Sequence, residues 1–130
     1  MKIQELYEGK YPTTITASQL VSLVQKIHSR EQDFDEGNLT DRIYQFGTYH
    51  KKKMKVAELS SDYQINDQMV EQYMAMDPKT MPPIVWDPVN KDMIDGTHRL
   101  EALKKKNVKT IEVYVGDESA YEPIQYDDDE

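Results

Sequence analysis

The sequence predicts an α+β fold: a helical segment over residues 1–50, then a strand, helix, hairpin, helix, strand unit over residues 51–116, then an acidic tail over 117–130. Three observations lead there. Apolar residues recur at helical spacing in the first third. The pair Pro82-Pro83, further prolines and the Asp95-Gly96 step punctuate short apolar runs in the last half. Amphipathic stretches alternate with those runs. At 130 residues the chain has the length of one domain.

Thr16 and Gln19 stand at capping-box spacing, so a helix starts there. Leu20, Leu23, Val24 and Ile27 share its inner face, and it ends near Ser29. Residues 30–38 are polar, contain Gly37-Asn38 and read as a loop. Leu39 to Phe46 makes a second short helix, with Leu39, Ile43 and Phe46 on one side and Gly47 as its stop. From Met54 to Leu59 the alternation suggests a strand carrying Glu58. Asn66 caps a helix over 67–76, whose Met69, Val70, Tyr73 and Met76 stripe reads as core. Pro78 and Pro82-Pro83 end it and force an extended chain. Pro83–Trp86 and Asp92–Ile94 form a hairpin around the turn Asp87–Lys91. A helix over Thr97–Lys106 ends with Asn107 in the left-handed position, and Thr110–Val115 is the last strand. Trp86 and Tyr114 read as core residues on their strands. Residues 117–130 carry few apolar groups and read as a mobile tail.

The chain has no cysteine, which removes disulfides, thiolate metal sites and cysteine nucleophiles. No run is long and apolar enough to span a membrane, and Met1–Glu8 lacks the apolar centre of a signal peptide, so the expected compartment is the cytoplasm. The formal net charge is −8, with Asp127–Glu130 a continuous acidic run. Against that background stand two basic clusters: Lys51, Lys52, Lys53 and Lys55, and Lys104, Lys105, Lys106 and Lys109. They are either solvated faces or contacts to a nucleic acid or a nucleic-acid enzyme. His28 and His50 show no metal-ligand spacing.

The chemistry concentrates in Asp95-Gly96-Thr97-His98-Arg99. A strand ends in Asp-Gly and a helix opens at once. The first N–H groups of a helix lack intrahelical partners and its dipole makes that end positive. Gly96 permits close backbone approach, Thr97 offers a hydroxyl, and His98 and Arg99 offer cationic or hydrogen-bonding groups to a phosphate. Each has a plainer role as well: Thr97 as an N-cap, Asp95 as a turn carboxylate, Arg99 as half of an ion pair. Asp95 is also the candidate metal ligand, for Mg²⁺. Glu58 is a candidate general base if it faces the cleft and idle if it faces outward.

The order strand, helix, Pro82-Pro83-Ile84-Val85, turn, Ile94–Ala102, then Thr110–Val113 resembles the ParB/sulfiredoxin-like superfamily over residues 54–116. The resemblance implies a small mixed sheet with packed helices and a nucleotide or phosphate site at the Gly-x-x-Arg turn. It is similar to the Asp-Gly-His-His-Arg turn of the free serine kinases, with Thr97 in place of the first His. There the match implies Asp95, His98 and Glu58 as catalytic groups, with Mg²⁺ and ATP, ADP or CTP. Sulfiredoxin chemistry requires a Cys before the His-Arg pair and is excluded. CTP-dependent chromosome-segregating ParB proteins carry Gly-Glu-Arg-Arg, which this turn lacks. Asp41–Phe46 resembles the segment that precedes the domain in small phage-encoded members, which would place the protein in the host cytoplasm. The expectation is a nucleotide-binding domain acting as a phosphotransferase or nucleotide hydrolase. The alternative is a non-catalytic, DNA-associated binding module.

Overall fold

The computed structural model describes residues 11–28, 36–61, 64–77 and 82–123. Its strands are β1 (Thr14–Thr16), β2 (Thr48–Lys55), β3 (Ile84–Asp87), β4 (Asp92–Asp95) and β5 (Thr110–Gly116). Its helices are α1 (Ala17–His28), α2 (Glu36–Ile43), α3 (Asp67–Met74) and α4 (Thr97–Lys105). The strands form one mixed sheet in the order β1-β2-β5-β3-β4. Among the described strands only β3 and β5 pair in parallel, with α4 carrying the chain between β4 and β5. This is the expected α+β class.

Side chains alternate across a strand, so each face of the sheet collects its own core. On one face Ile15, Tyr49, Val85, Ile94 and Tyr114 meet Leu20, Leu23 and Val24 of α1 and Leu39 and Ile43 of α2. On the other, Ile84, Trp86, Met93, Val113 and Val115 meet Val70 and Tyr73 of α3 and Leu100 and Leu103 of α4. β3 is buried along its whole length, which is why Ile84-Val85-Trp86 reads as a continuous apolar run.

The capping box forms as expected: the Gln19 amide donates to Thr16 Oγ1 at 3.2 Å and the Thr16 amide to Gln19 Oε1 at 3.1 Å. Asn66 caps α3 by accepting from the amides of Gln68 and Met69. The β3–β4 turn is built on Asp87, which is fully buried and accepts from the amides of Val89 and Asn90 at 2.9 Å. Asn107 is left-handed, at φ 59°.

Several boundaries differ. The first fifty residues are not purely helical: β1 precedes α1 and pairs with β2, and the boundary expected at residue 50 falls inside β2. The expected loop over 30–38 gives way at Glu36, where α2 starts, and α2 ends at Ile43 rather than near Gly47. The strand expected from Met54 begins at Thr48, and Val56–Glu58 is a 3₁₀ turn. Lysines hid that strand, since pairing with β5 from Tyr49 to Lys55 overrides its weak β propensity. The tail is packed at its start. Asp117 caps a 3₁₀ turn over Glu118–Ala120, the Tyr121 ring lies 5.0 Å from that of Phe46, and the Glu122 amide donates to Gln45 O at 2.7 Å. The run Asp127–Glu130, like Ser29 and residues 30–35, lies outside the described residues. Among the described residues no helix is long and apolar enough to cross a membrane.

Candidate functional site

The turn between β4 and α4 depends on Gly96. Its φ is +118°, and a Cβ there would sit 2.7 Å from Cγ1 of Ile84. A side chain is excluded both by the backbone conformation and by the wall of β3. The turn therefore lies tight on the sheet, and Thr97, His98 and Arg99 form the first turn of α4.

Arg99 points inward. It is 1% exposed, its Nη2 donates to Asp95 Oδ2 at 2.5 Å, and its Nη1 donates to the carbonyl of Pro83 at 2.7 Å. The guanidinium also stands 5.7 Å from the centre of the Tyr73 ring. It thus joins the end of β4, the start of β3 and the flank of α3. This corrects the expectation that Arg99 is offered to a phosphate: its fork is directed into the protein by a buried carboxylate. Asp95, 9% exposed, is the other half of that pair. As a Mg²⁺ ligand it fits poorly, since its charge is already matched and no group of three or more His, Cys, Asp or Glu able to hold a metal occurs among the described residues.

Thr97 and His98 are half-buried and face the segment that leads into α3. The Thr97 and Ser61 hydroxyls lie 2.7 Å apart. The Asn66 amide donates to His98 Nε2 at 3.0 Å. A backbone N–H can only donate, so this bond requires Nε2 to be unprotonated. At the far ends of the same helices, Lys106 Nζ donates to the carbonyl of Met76 at 2.7 Å. α3 and α4 therefore run parallel, and their amino-terminal ends meet at His98 and Asn66. Ser61 and the amide of Asn66 were missed by sequence reasoning. Asn66 was visible only as a cap, and nothing in the spacing of Ser61 points to Thr97, 36 residues away.

Glu58 is exposed, in the 3₁₀ turn rather than on a strand, and its carboxylate turns back to accept from the Lys55 amide at 3.1 Å. It caps its own turn. The general-base expectation rested on a strand position that the chain does not adopt. Of the lysines, Lys52, Lys53, Lys55, Lys104 and Lys105 are exposed. Lys51 is half-buried, donating to Tyr11 O at 2.8 Å with Glu112 at 3.6 Å, and so leaves the candidate nucleic-acid set. His50 Nε2 lies 3.0 Å from Asp117 Oδ2 and its Nδ1 3.3 Å from Thr14 Oγ1. Trp86 and Tyr114 are buried in the core, and the Tyr114 hydroxyl donates to Pro12 O at 2.6 Å.

The fold is α+β, and its later half follows the strand, helix, hairpin, helix, strand order that the resemblance to the ParB/sulfiredoxin-like superfamily implies. Among solved structures the chain is similar to a Pnob8-like ParB-N domain, at 21% identity and a TM-score of 0.43; the match covers 53% of this chain and 30% of that one. No family model and no curated protein matches the chain.

Proposed function

We propose that the protein binds the phosphate group of a nucleotide where the amino-terminal ends of α3 and α4 meet, as a binding domain of ParB-like type. The observation that carries this reading is the convergence of two parallel helix ends at the Asn66–His98 hydrogen bond. Each end contributes roughly half a positive charge. The hydroxyls of Ser61 and Thr97 lie beside them, close enough that phosphate oxygens would accept from both in exchange for the bond the two now share. Gly96 holds the α4 end against the sheet. In this reading Arg99 and Asp95 shape the turn from behind and do not touch the ligand. Binding is favoured over phosphoryl transfer, because Asp95 is paired with Arg99 and Glu58 caps a turn.

The test is isothermal titration calorimetry with CTP, ATP, ADP and inorganic phosphate, each with and without Mg²⁺. At least one ligand is expected to bind, and Ser61→Ala and Thr97→Val are each expected to weaken it about tenfold, the value of one hydrogen bond to a charged group. Absence of heat with all four ligands, or wild-type affinity in both variants, refutes the reading. Thermal melts of both variants verify that the fold survives.

A further inference from the structure

The segment entering α3 is joined to the first turn of α4 by the Ser61–Thr97 hydroxyl pair and by the bond from the Asn66 amide to His98 Nε2. Asn66 is the N-cap of α3, and its side chain accepts from the amides of Gln68 and Met69. Its own N–H stands outside the helix ladder and turns to the imidazole ring. Gln64, Ile65 and Asn66 are all exposed, so this stretch gains little from burial and leans on its polar bonds. The rest of the contact between the helices is of a different kind. Val70 and Tyr73 of α3 share a core with Leu100 and Leu103 of α4, and Lys106 holds the Met76 carbonyl at the far end.

We propose that His98 is a proton-controlled latch: a proton taken up by its ring releases the segment entering α3 from α4. The nitrogen that accepts the bond is the one that protonates. In the closed state the neutral ring carries its proton on Nδ1 and offers the Nε2 lone pair to the Asn66 amide. The imidazolium has no lone pair to offer, and two N–H groups then face each other. Its charge also arrives where both helix dipoles are positive, so the two effects act in the same direction. The charged groups on the elements packed around the ring do not restore the bond. On α4, Arg99 is paired with Asp95. Glu58, in the 3₁₀ turn after β2, accepts from the Lys55 amide, and Asp87, at the end of β3, accepts from the amides of its own turn. Asp67 and Glu71 on α3 and Glu101 on α4 are the remaining carboxylates of these elements. They offer the charged ring a partner but do not give Nε2 back its lone pair. Release is confined to one end, because the shared core and Lys106 hold the other. The latch does not rest on the nucleotide reading, since it follows from the Asn66–His98 bond whether or not a phosphate binds beside it.

Amide hydrogen exchange of the full chain, followed residue by residue by NMR and corrected for the intrinsic pH dependence of exchange, tests the proposal. From about pH 7.5 to about pH 5.5, either side of the ordinary imidazole value of about 6.5, protection of the Asn66 amide is expected to fall about fivefold, the weight of one hydrogen bond. The Val108 amide, bonded to the Leu103 carbonyl beyond the other end of α4, is expected to keep its protection. His98→Gln supplies an amide oxygen that accepts throughout this range and is expected to protect Asn66 equally at both ends of it. His98→Ala has no acceptor and is expected to leave the Asn66 amide unprotected throughout. The proposal is overturned by wild-type protection of Asn66 that does not change with pH, by the same fall in His98→Gln, or by wild-type protection in His98→Ala. The amide spectrum of each variant verifies that it is folded. Because calorimetry reads the bound phosphate and exchange reads the protein alone, failure here leaves the nucleotide reading standing, and the converse holds.

Discussion

Arg99 has the right residue type for a phosphate ligand and sits where one would be placed, yet it is 1% exposed and bound to Asp95 and to the carbonyl of Pro83. Truncating one partner of such a pair leaves the other charge buried and uncompensated. Arg99→Ala is therefore expected to cost about 3–5 kcal/mol of folding stability, measured by urea denaturation. Arg99→Lys is expected to recover only part of that, since a single ammonium does not reproduce a planar fork bonded to two acceptors. A loss below about 1 kcal/mol for Arg99→Ala would mean that the pair does not brace the turn. The plainer reading of Arg99 as an ion pair was legible from Asp95 four residues earlier. What decided it was the wall of β3 and α3, which removes water from the pair. Gly96 was legible in the same way: a glycine at a strand-to-helix step implies an unusual backbone, and contact with Ile84 supplies the second reason.

Among the elements, those with local causes matched expectation. α1 starts at its capping box, α3 at Asn66, and the β3–β4 hairpin turns on Asp87. The elements that differed depend on distant partners. β2 is a strand because β5 pairs with it, and the segment after β5 is ordered because Phe46 and Gln45 meet it. Gly116 allows that packing, since a Cβ there would sit 2.5 Å from the Phe46 ring. Asp117 joins this segment to β2. Its carboxylate accepts from the Ser119 hydroxyl at 2.6 Å and contacts His50, and these bonds, Ser119 first, lower its pKa from 3.8 to about 2. A carboxylate with a depressed folded-state pKa adds stability that is fully present above its unfolded value and is lost as pH falls through the folded one. The Asp117 contribution is thus expected to disappear between about pH 4 and pH 2. In denaturant melts across that range, Asp117→Asn is expected to be less stable than wild type at neutral pH and to converge on it at the acid end. A constant gap between the two would show that Asp117 acts through something other than its charge.

At the scale of the whole molecule, the two faces of the sheet make the amino-terminal third inseparable from the rest. Val85, Ile94 and Tyr114 belong to the core that α1 and α2 cover. A fragment of residues 51–116 begins inside β2 and leaves that face open to water, so it is expected to show no cooperative thermal unfolding by circular dichroism, whereas the full chain unfolds in one transition. A cooperative melt of the fragment would show that the second core suffices. The helix periods, caps, turns, the absence of cysteine chemistry and the strand-to-helix step at Gly96 were all determined by the sequence itself, because each arises from interactions within a few residues. Which way Arg99 faces, that Ser61 meets Thr97, and that two helix ends converge at His98 were decided only by the tertiary structure. Those relations join residues 16 to 36 positions apart in the chain, and they come from how the helices and strands pack, which no local pattern encodes.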